Sequence, residues 1–330
     1  MSHRALLPGI LALGMLALAA CGDDTTTQPT PPATPNLALV SNTWSVLPNM
    51  PSDRYGPAVA VVTKEDGTTI LYAIGGRTSP NTHAPLSTVQ AYNASTKAWT
   101  TKAPLPVPLY NTNGAGVIGG KIYLSGGQRY DNSLVASLFV YDPATNQWTQ
   151  KRDLPFPGFG GVTSVYQSKL YVLTWGSSDM GVYRYDPATN RWTFLAVAPR
   201  GHYVGMGGFL GGKFHLTGGT DSPQLDVFDP VTNTWSTKAP LPARRISAAY
   251  AALAGKLYIV GGVEEDPTTH WWSHSQTMLQ YDPITDVWRS RAALPQQRDG
   301  IAGGRIVHQG VPVLAVVGGA RPGNFLAYVP

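Results

Sequence analysis

Short apolar runs bounded by glycine and polar residues recur along most of this chain. In residues 70–74 and 257–260, apolar side chains are nearly continuous rather than alternating with polar ones. Such a run is typical of a strand that is buried on both faces, and it is too short for a buried helix. Because no long helical pattern accompanies these runs, the sequence predicts an all-β protein.

One unit, residues 119–148, recurs with variation along the chain. It contains a strand that ends in Gly126-Gly127, an alternating strand that ends in Asp142-Pro143, and a segment that ends in Trp148. The other glycine pairs are Gly75-Gly76, Gly218-Gly219, Gly261-Gly262 and Gly318-Gly319, and Thr174-Trp175-Gly176 takes their place in the third copy. The tryptophans that end the units are Trp99, Trp148, Trp192, Trp235 and Trp288, at separations of 43 to 53 residues.

The two chain ends carry complementary parts of one unit. Trp44 follows Ser41-Asn42-Thr43 but has no glycine pair before it, whereas Gly318-Gly319 leads only as far as Tyr328-Val329-Pro330. We therefore expect the N-terminal strand to complete the last unit and to close a ring. Closure matters because an open ring would expose two unpaired sheet edges.

This pattern resembles the kelch repeat, in which a glycine pair ends the second of four strands, a tyrosine lies in the third and a tryptophan in the fourth. The spacing is close to the period of about 50 residues that is typical of that repeat. The resemblance covers residues 37–330. It implies an all-β, six-bladed kelch-type β-propeller with four antiparallel strands per blade, closed by the N-terminal strand joining the last blade.

Composition fits one large β domain. Hydrophobic residues make up 43% of the chain and charged residues 13%, which gives ample material for a core. The formal charge is +5, or +4 without residues 1–20, and the excess is scattered rather than gathered into a basic stripe. We therefore expect no nucleic-acid partner. Cys21 is the only cysteine, so no disulfide within the chain can stabilise the fold.

The N-terminal segment has the features of a bacterial lipoprotein leader. Arg4 precedes an apolar stretch at residues 6–18, which is too short for a transmembrane anchor. Leu18-Ala19-Ala20-Cys21 resembles a lipobox, in which the cysteine is lipidated, and an ordinary signal peptide with an incidental cysteine is the alternative. We expect a signal peptide at residues 1–20, a Thr/Pro-rich tether at 21–36 and the propeller at 37–330.

The expected localisation follows from this leader. The propeller would be extracytoplasmic and lipid-anchored in the cell envelope, at the outer membrane or the cell surface. The lipid on Cys21 would be its only attachment to the membrane, and we expect a monomer.

The sequence also predicts a ligand site at the mouth of the propeller channel, where the loops between blades gather in kelch proteins. One residue of each copy enters the first strand just after an Ala-Pro or Leu-Pro phrase: Arg54, Tyr110, Phe159, His202, Arg245 and Arg298. Arginines converging with aromatic rings and a histidine would suit a carboxylate-bearing sugar or an acidic peptide. Alternatively, these residues make loop hydrogen bonds and solvate the rim.

The longest loop after a glycine pair, residues 263–276, carries Trp271 and Trp272. Adjacent tryptophans in a loop are typical of sugar platforms or protein anchors. His270 and His274 would share a face only in a helix, which nothing predicts, so we expect no metal site. Further residues in equivalent loops are Arg77, His83, Arg129, Asp131, Asp179, Asp221, Arg321 and Asn324.

Two classes of function remain open. The first is a non-enzymatic binding module that takes a protein or glycan, with an acidic group favoured, through the arginine and aromatic rim. The second is a carbohydrate-active enzyme of the sialic-acid mutarotase or epimerase type, which this chain resembles in blade count, size and compartment. For that chemistry, Glu264 or Glu265 beside Arg245 is the only acid and base that we can name.

A copper oxidase is excluded. Galactose oxidase is similar in blade type but uses copper with a Tyr-Cys crosslink, and here Cys21 is needed for the anchor. No cofactor fingerprint is present, and the glycine pairs close strands rather than open helices. We therefore expect no cofactor.

Overall fold

A computed structural model describes residues 40–79, 81, 84–175, 180–319 and 325–330. These residues form strands and turns, and no helix among them is long and apolar enough to cross a bilayer. The signal peptide, the lipidation site at Cys21 and the tether lie outside the described residues.

Six four-stranded antiparallel sheets, which we call blades 1 to 6, contain most of the described strands. The first strand, β1 (Thr43–Val46), belongs to blade 6. Blade 1 contains β2 (Ala58–Thr63), β3 (Thr69–Ile74), β4 (Val89–Asn93) and β5 (Ala98–Lys102). Blade 2 contains β6 (Ala115–Ile118), β7 (Lys121–Ser125), β8 (Leu138–Asp142) and β9 (Gln147–Lys151). Blade 3 contains β10 (Phe159–Tyr166), β11 (Lys169–Trp175), β12 (Met180–Asp186) and β13 (Arg191–Val197).

The second half of the chain continues the pattern. Blade 4 contains β14 (Met206–Leu210), β15 (Lys213–Thr217), β16 (Leu225–Asp229) and β17 (Thr234–Lys238). A small three-stranded sheet follows, with β18 (Arg245–Ile246), β21 (Val263–Glu265) and β22 (Trp272–His274). Blade 5 contains β19 (Ala249–Leu253), β20 (Lys256–Val260), β23 (Met278–Asp282) and β24 (Val287–Arg291). Blade 6 adds β25 (Ile301–His308), β26 (Val311–Gly318) and β27 (Phe325–Val329) to β1.

The first strands of the blades form a closed cycle. β2 contacts β6 and β25, β10 contacts β6 and β14, and β19 contacts β14 and β25. Each blade therefore has a neighbour on both sides, as a ring requires. This explains why strands such as β3 and β26 are buried along almost their whole length.

The N-terminal strand closes this ring. β1 is antiparallel to β27, with Trp44 opposite Tyr328 and Val46 opposite Leu326, and the strand order of blade 6 is β1-β27-β26-β25. The prediction that residues from the two chain ends share the last blade is confirmed. β1 thus pairs with the edge of β27, which would otherwise be unpaired.

The hydrophobic core lies between blades rather than within them. Each of six buried clusters joins two adjacent blades, and the cluster between blades 6 and 1 contains Ala315 and Phe325 from one side and Leu71 and Tyr92 from the other. The repeated tryptophans pack against these clusters. Apolar burial is thus the attraction that holds neighbouring blades together.

A hydrogen-bonded clamp reinforces the contacts between blades. In blade 2, the indole N–H of Trp148 donates to the carbonyl of Ala103 in blade 1 (2.9 Å). The amide N–H of Ala103 donates to Asn146 Oδ1 (2.9 Å), which also accepts from the Tyr141 hydroxyl (2.6 Å). The same tyrosine, Asn or Asp, and tryptophan recur in blades 3, 5 and 6. We call this arrangement the inter-blade clamp.

The glycine pairs allow close approach between blades. The N–H of Gly76 donates to the carbonyl of Leu109 in the next blade (3.0 Å). A Cβ atom on Gly75 would lie 2.6 Å from that carbonyl oxygen, and both glycines have positive φ. Any side chain at Gly75 would therefore push blades 1 and 2 apart.

Deleting residues 37–46 removes β1 and should lower the melting temperature sharply or cause aggregation, because β27 would then present an unpaired edge. Scanning calorimetry of the full chain and of this variant measures the effect. A variant that lacks residues 22–36, in the tether, is the control and should melt like the full chain. An unchanged melting temperature on loss of β1 would contradict the role of ring closure.

Candidate functional site

The candidate site surrounds the channel opening where the first strands begin. One residue of each blade there has φ between 47° and 60°: Gly56, Asn111, Gly160, Val204, Ser247 and Gly300. Backbone N–H groups join neighbouring blades at this level, from Gly56 to the Gly300 carbonyl (2.7 Å) and from Gly160 to the Asn111 carbonyl (3.0 Å). We call this opening the mouth.

Two side chains precede each of these residues, and they have different environments. The first position contains Arg54, Leu109, Gly158, His202, Arg245 and Arg298. The second contains Tyr55, Tyr110, Phe159, Tyr203, Ile246 and Asp299. Where the first position is an arginine or a histidine, its side chain points into its own blade. The second position contributes most of the aromatic groups of the mouth.

Arg54 is fully buried inside blade 1. Its guanidinium donates to the carbonyl oxygens of Ala73, Gly75 and Thr88 at 3.0 to 3.2 Å, and to Gln90 Oε1 at 2.9 Å. Burial lowers the pKa of Arg54 to about 10, so the group remains a cation at neutral pH. Arg54 therefore connects the end of β3 to the start of β4.

Arg245 makes the equivalent contacts in blade 5. Its guanidinium donates to the carbonyls of Gly261 (3.1 Å) and Thr277 (3.2 Å), and to Glu264 Oε2 (2.6 Å). Burial of Arg245 is the larger cause that lowers its pKa, and the charge of Glu264 opposes this shift. Arg298, in blade 6, is 5% exposed. The role of Arg54 and Arg245 is thus to fix the backbone where the glycine pair meets the third strand.

His202 occupies the same position in blade 4. Its Nδ1 lies 2.8 Å from the carbonyl oxygen of Gly218, and its Nε2 lies 3.0 Å from Asp226 Oδ2. His202 and Asp226 are both fully buried. The histidine thus joins the glycine pair to β16, as Arg54 and Arg245 join the corresponding elements of their blades.

These positions correct the predicted site. Arg54, His202, Arg245 and Arg298 were expected to converge on an open rim, but their side chains are buried within the blades. For Arg54, His202 and Arg245, the physical reason is that a backbone carbonyl of the glycine pair in the same blade needs a donor, and the side chain supplies it. Our proposal for ligand contacts therefore moves to the second position.

Five aromatic side chains lie around the mouth: Tyr55, Tyr110, Phe159, Trp175 and Tyr203. We call them the mouth aromatic ring. Four of them are partly exposed, but Tyr110 is only 2% exposed, so its ring, which the sequence predicted as a ligand contact, packs against its neighbours instead. Phe159 and Tyr203 meet edge-on with centroids 5.3 Å apart, and Trp175 meets Tyr203 at 6.1 Å. The Tyr110 hydroxyl donates to Asn132 Oδ1 (2.6 Å). Rings held by such contacts present fixed apolar faces with polar edges.

Arg77 is the cation at this mouth. Its guanidinium carbon lies 4.8 Å from the centroid of the Tyr55 ring and 5.5 Å from that of Tyr110. Among the residues that the structure describes, no carboxylate forms an ion pair with Arg77, and its Nε has no hydrogen-bond partner. The two tyrosines thus hold a guanidinium whose charge is not neutralised by a described carboxylate.

A chain of titratable groups continues from Tyr55. The Tyr55 hydroxyl donates to Asp299 Oδ2, and Asp299 Oδ1 lies 2.9 Å from His274 Nδ1. Burial, followed by the bond to Asp299, raises the pKa of Tyr55. Asp299 is largely buried, whereas the His274 side chain is 52% exposed. If Nδ1–H donates to Asp299, Nε2 of His274 remains available as a proton acceptor.

The hairpin of β21 and β22 carries the two predicted tryptophans. Trp271 is 78% exposed, and Trp272 lies under Arg244, whose guanidinium carbon is 5.8 Å from the indole centroid. Arg244 forms an ion pair with Glu265, which also lies 3.1 Å from Nδ1 of His270. No group of three His, Cys, Asp or Glu suited to a metal occurs in the described residues.

A cavity of about 520 Å³ lies in the channel, bounded at the mouth by Tyr55, Asn111, Val204 and Ser247. The first strands of the blades form its walls, and glycine and alanine are frequent among them. A pocket of this volume is large enough for a small organic ligand.

Comparisons with known proteins agree with this architecture. Residues 68–106, 112–155 and 244–295 match the family model of the kelch motif. Kelch-like protein terF of Aspergillus terreus is 32% identical over 165 residues, which are 46% of this chain and 33% of that protein. Alpha-scruin of Limulus polyphemus is 33% identical over 140 residues, 40% of this chain and 15% of that protein. This chain is a kelch-repeat propeller.

One solved structure extends the likeness over nearly the whole kelch propeller. The structure titled "Structure of YjhT" superposes with a TM-score of 0.70 at 18% identity, covering 86% of this chain and 95% of the other. At that identity the likeness concerns the fold. The matched segments of the two relatives above make up a third or less of those proteins, so activities of the whole relatives do not transfer to this kelch propeller.

Sequence reasoning missed Tyr55, Tyr203 and Asp299 at the mouth of the kelch propeller. A sequence signal was present: counted from the proline of the preceding Ala-Pro or Leu-Pro phrase, Tyr110 and Phe159 fall one position later than His202, Arg245 and Arg298. Had all copies been aligned at the position of Tyr110 and Phe159, the second-position residues would have been recognised as one set. Of the further loop residues, His83, Asp179, Arg321 and Asn324 lie outside the described residues.

Arg54→Met should lower the free energy of unfolding by about 3 kcal/mol, because several buried acceptors lose their donor while the side-chain volume is kept. Urea denaturation measures the change. Arg129→Met, at an exposed position of a loop in blade 2, is the matched control and should leave stability unchanged. Equal stability of the two variants would contradict the structural role of Arg54.

Proposed function

We propose that this kelch propeller is an extracytoplasmic binding module, tethered to the membrane through Cys21, that holds a protein or glycan at the mouth. Kelch-repeat propellers generally bind protein partners. The tether rests on the leader and lipobox of the sequence. The observation that carries the binding proposal is the mouth aromatic ring, because four partly exposed aromatic groups from blades 1, 3 and 4 lie around one opening.

The aromatic groups suit recognition for a physical reason. Rigid rings bury a large apolar area at a low cost in conformational entropy, and their edges offer hydroxyl or indole donors. Trp271 and Trp272 on the β21–β22 hairpin supply a second aromatic contact on the same face. Exposed tryptophans in a loop act as anchors for a partner or as platforms for sugar rings.

Arg77 favours a ligand that carries an acidic group. In this proposal it takes the role that the sequence suggested for Arg54, Arg245 and Arg298. A guanidinium stacked between two tyrosines is oriented before the ligand arrives, so little side-chain entropy is lost on pairing with a carboxylate.

Tyr203→Ala should weaken ligand binding by roughly tenfold to a hundredfold, because it removes one ring and loosens Phe159 and Trp175. The measurement is binding of the full chain, in detergent micelles, to arrays of glycans and of acidic and neutral peptides. Phe194→Ala is the control, since Phe194 is a half-exposed aromatic on the outer strand β13. Equal loss in both variants, or no loss in either, would contradict a site at the mouth.

Arg77→Gln should weaken binding of acidic array members selectively and should reduce the salt dependence of their binding. Arg129→Gln provides the matched control in the neighbouring blade. Neutral ligands should bind both variants equally. If acidic ligands bind the Arg77 variant with unchanged affinity and salt dependence, Arg77 is not the anion contact.

A second candidate function is sugar mutarotation or epimerisation, and the Tyr55–Asp299–His274 chain favours it. Asp299 orients His274 as a carboxylate orients a general base. Opening a cyclic sugar requires removal of the proton from the anomeric hydroxyl and its return to the ring oxygen, which an imidazole can mediate. This group replaces Glu264 and Glu265 as the proposed acid and base, because both glutamates form ion pairs with arginines.

Anomeric exchange of sugars, followed by NMR, separates the two functions. An enzyme should accelerate exchange, and His274→Asn should remove most of that acceleration while leaving ligand binding intact. Binding without acceleration by the unmodified chain would leave the binding module as the function. Acceleration that survives in the His274 variant would exclude His274 as the base.

A further inference from the structure

The channel below the mouth has an unusual lining. Its walls are small or apolar residues and a few hydroxyl-bearing ones, and Arg305 is the only charged residue among the described residues that line the cavity. The mouth, in contrast, carries Arg77, Asp299 and His274. A ligand group that enters the channel therefore meets an almost uncharged environment.

Tyr250 is the large side chain at one level of this channel. It lies opposite Ile259 in blade 5, and the equivalent residues of the other blades are Val59, Ala115, Val162, Gly207 and Gly303. Because these five residues are small or medium-sized, the channel has room at this level for the side chain of Tyr250. The lining residue Tyr250 is itself partly buried.

The Tyr250 side chain extends from blade 5 to the walls formed by blades 2 and 3. Its hydroxyl lies 3.7 Å from the position that a Cβ atom would take on Gly114, and the Cβ of Thr163 lies 3.6 Å from the same point. The Tyr250 ring passes 3.9 Å from the corresponding position on Gly208. Two hydroxyl-bearing side chains, from blades 3 and 5, therefore both lie near Gly114 of blade 2.

Neither hydroxyl is satisfied by a described residue. Thr163 Oγ1 is buried and has no hydrogen-bond partner, and no described group donates to or accepts from the Tyr250 hydroxyl. Burial raises the pKa of Tyr250 to about 12, so its hydroxyl keeps its proton at neutral pH. Polar groups inside proteins are almost always hydrogen-bonded, so the buried Thr163 hydroxyl is an exception. Together with a tyrosine hydroxyl that is only partly buried and has no described partner, it indicates a site for a polar ligand in the cavity.

We propose that the channel cavity binds a small, uncharged, hydroxyl-rich molecule of the monosaccharide class, with Tyr250 and Thr163 as its hydrogen-bonding residues. Each hydroxyl can donate one hydrogen bond and accept others, which matches the donor and acceptor pattern of a sugar hydroxyl. The Tyr250 ring and the alanine and valine side chains suit the C–H faces of a sugar ring. The site is separate from the ligand contacts proposed at the mouth and does not depend on Arg77.

Saturation-transfer NMR on the full chain tests this proposal with glucose, galactose, N-acetylglucosamine and myo-inositol, and with glucuronate as a charged analogue. At least one neutral compound should receive saturation, and glucuronate should bind more weakly. Tyr250→Phe and Thr163→Val should each weaken binding of that compound by roughly tenfold. Tyr166→Phe removes a hydroxyl at the far end of β10 and is the matched control.

Thermal melting shows whether a variant binds weakly because it lacks a contact with the ligand or because its fold is destabilised. Because neither hydroxyl has a partner within the described residues, Tyr250→Phe and Thr163→Val should melt at the temperature of the unmodified chain. The proposal is overturned if no neutral compound binds, if glucuronate binds best, or if both variants bind as well as the unmodified chain. The array experiment with Tyr203→Ala then distinguishes the two sites. If Tyr203→Ala still weakens binding of glycans or peptides on the arrays, the mouth remains the binding site and only the channel site is refuted.

Discussion

The inter-blade clamp is the interaction on which this structure depends. A tryptophan and an Asn or Asp from one blade hold the C=O and N–H of a single residue in the preceding blade, and a buried tyrosine fixes the amide or carboxylate. The clamp satisfies backbone groups that apolar burial alone would leave without partners. In blades 2, 3, 5 and 6 it therefore sets the position of the blade relative to the preceding one, whereas the hydrophobic clusters supply most of the attraction between blades. The clamp of Asn42, Trp44 and Tyr328 uses residues from both chain ends, so the same chemistry that joins blades also closes the ring.

Closure of the ring determines how the side chains at the mouth are oriented toward a ligand. The buried side chains of Arg54, His202 and Arg245 hold the glycine pairs to the third strands, so the backbone around the opening is fixed from inside blades 1, 4 and 5. One residue with positive φ in each blade then lies at the opening, where the first strand begins. At Val204 this backbone conformation is adopted by a β-branched residue, which is strained, and neighbouring structure must hold it there. A rigid opening of this kind holds Tyr55, Tyr110 and Tyr203 in defined orientations, and little ordering is left for a ligand to impose.

The repeat made the fold predictable. Glycine pairs, apolar strands and tryptophans at regular spacing each reflect a local requirement, and the unpaired Trp44 revealed how the ring closes. The site was less predictable because burial is a property of neighbours. Arg54 and Arg77 are both arginines near a strand end, yet one is enclosed by carbonyls of its own blade and the other lies between two tyrosines. Nothing in the residue type distinguishes the two environments.

The sequence by itself determined the all-β class, the repeating unit and the sharing of the last blade by both chain ends. These features follow from hydrophobic period, turn residues and spacing, which are encoded locally. Tertiary structure alone decided which cations are buried, which aromatic groups meet at the mouth, and that Tyr250 and Thr163 approach each other in the channel. Those contacts join residues from different blades, so they exist only once the ring has brought distant parts of the chain together.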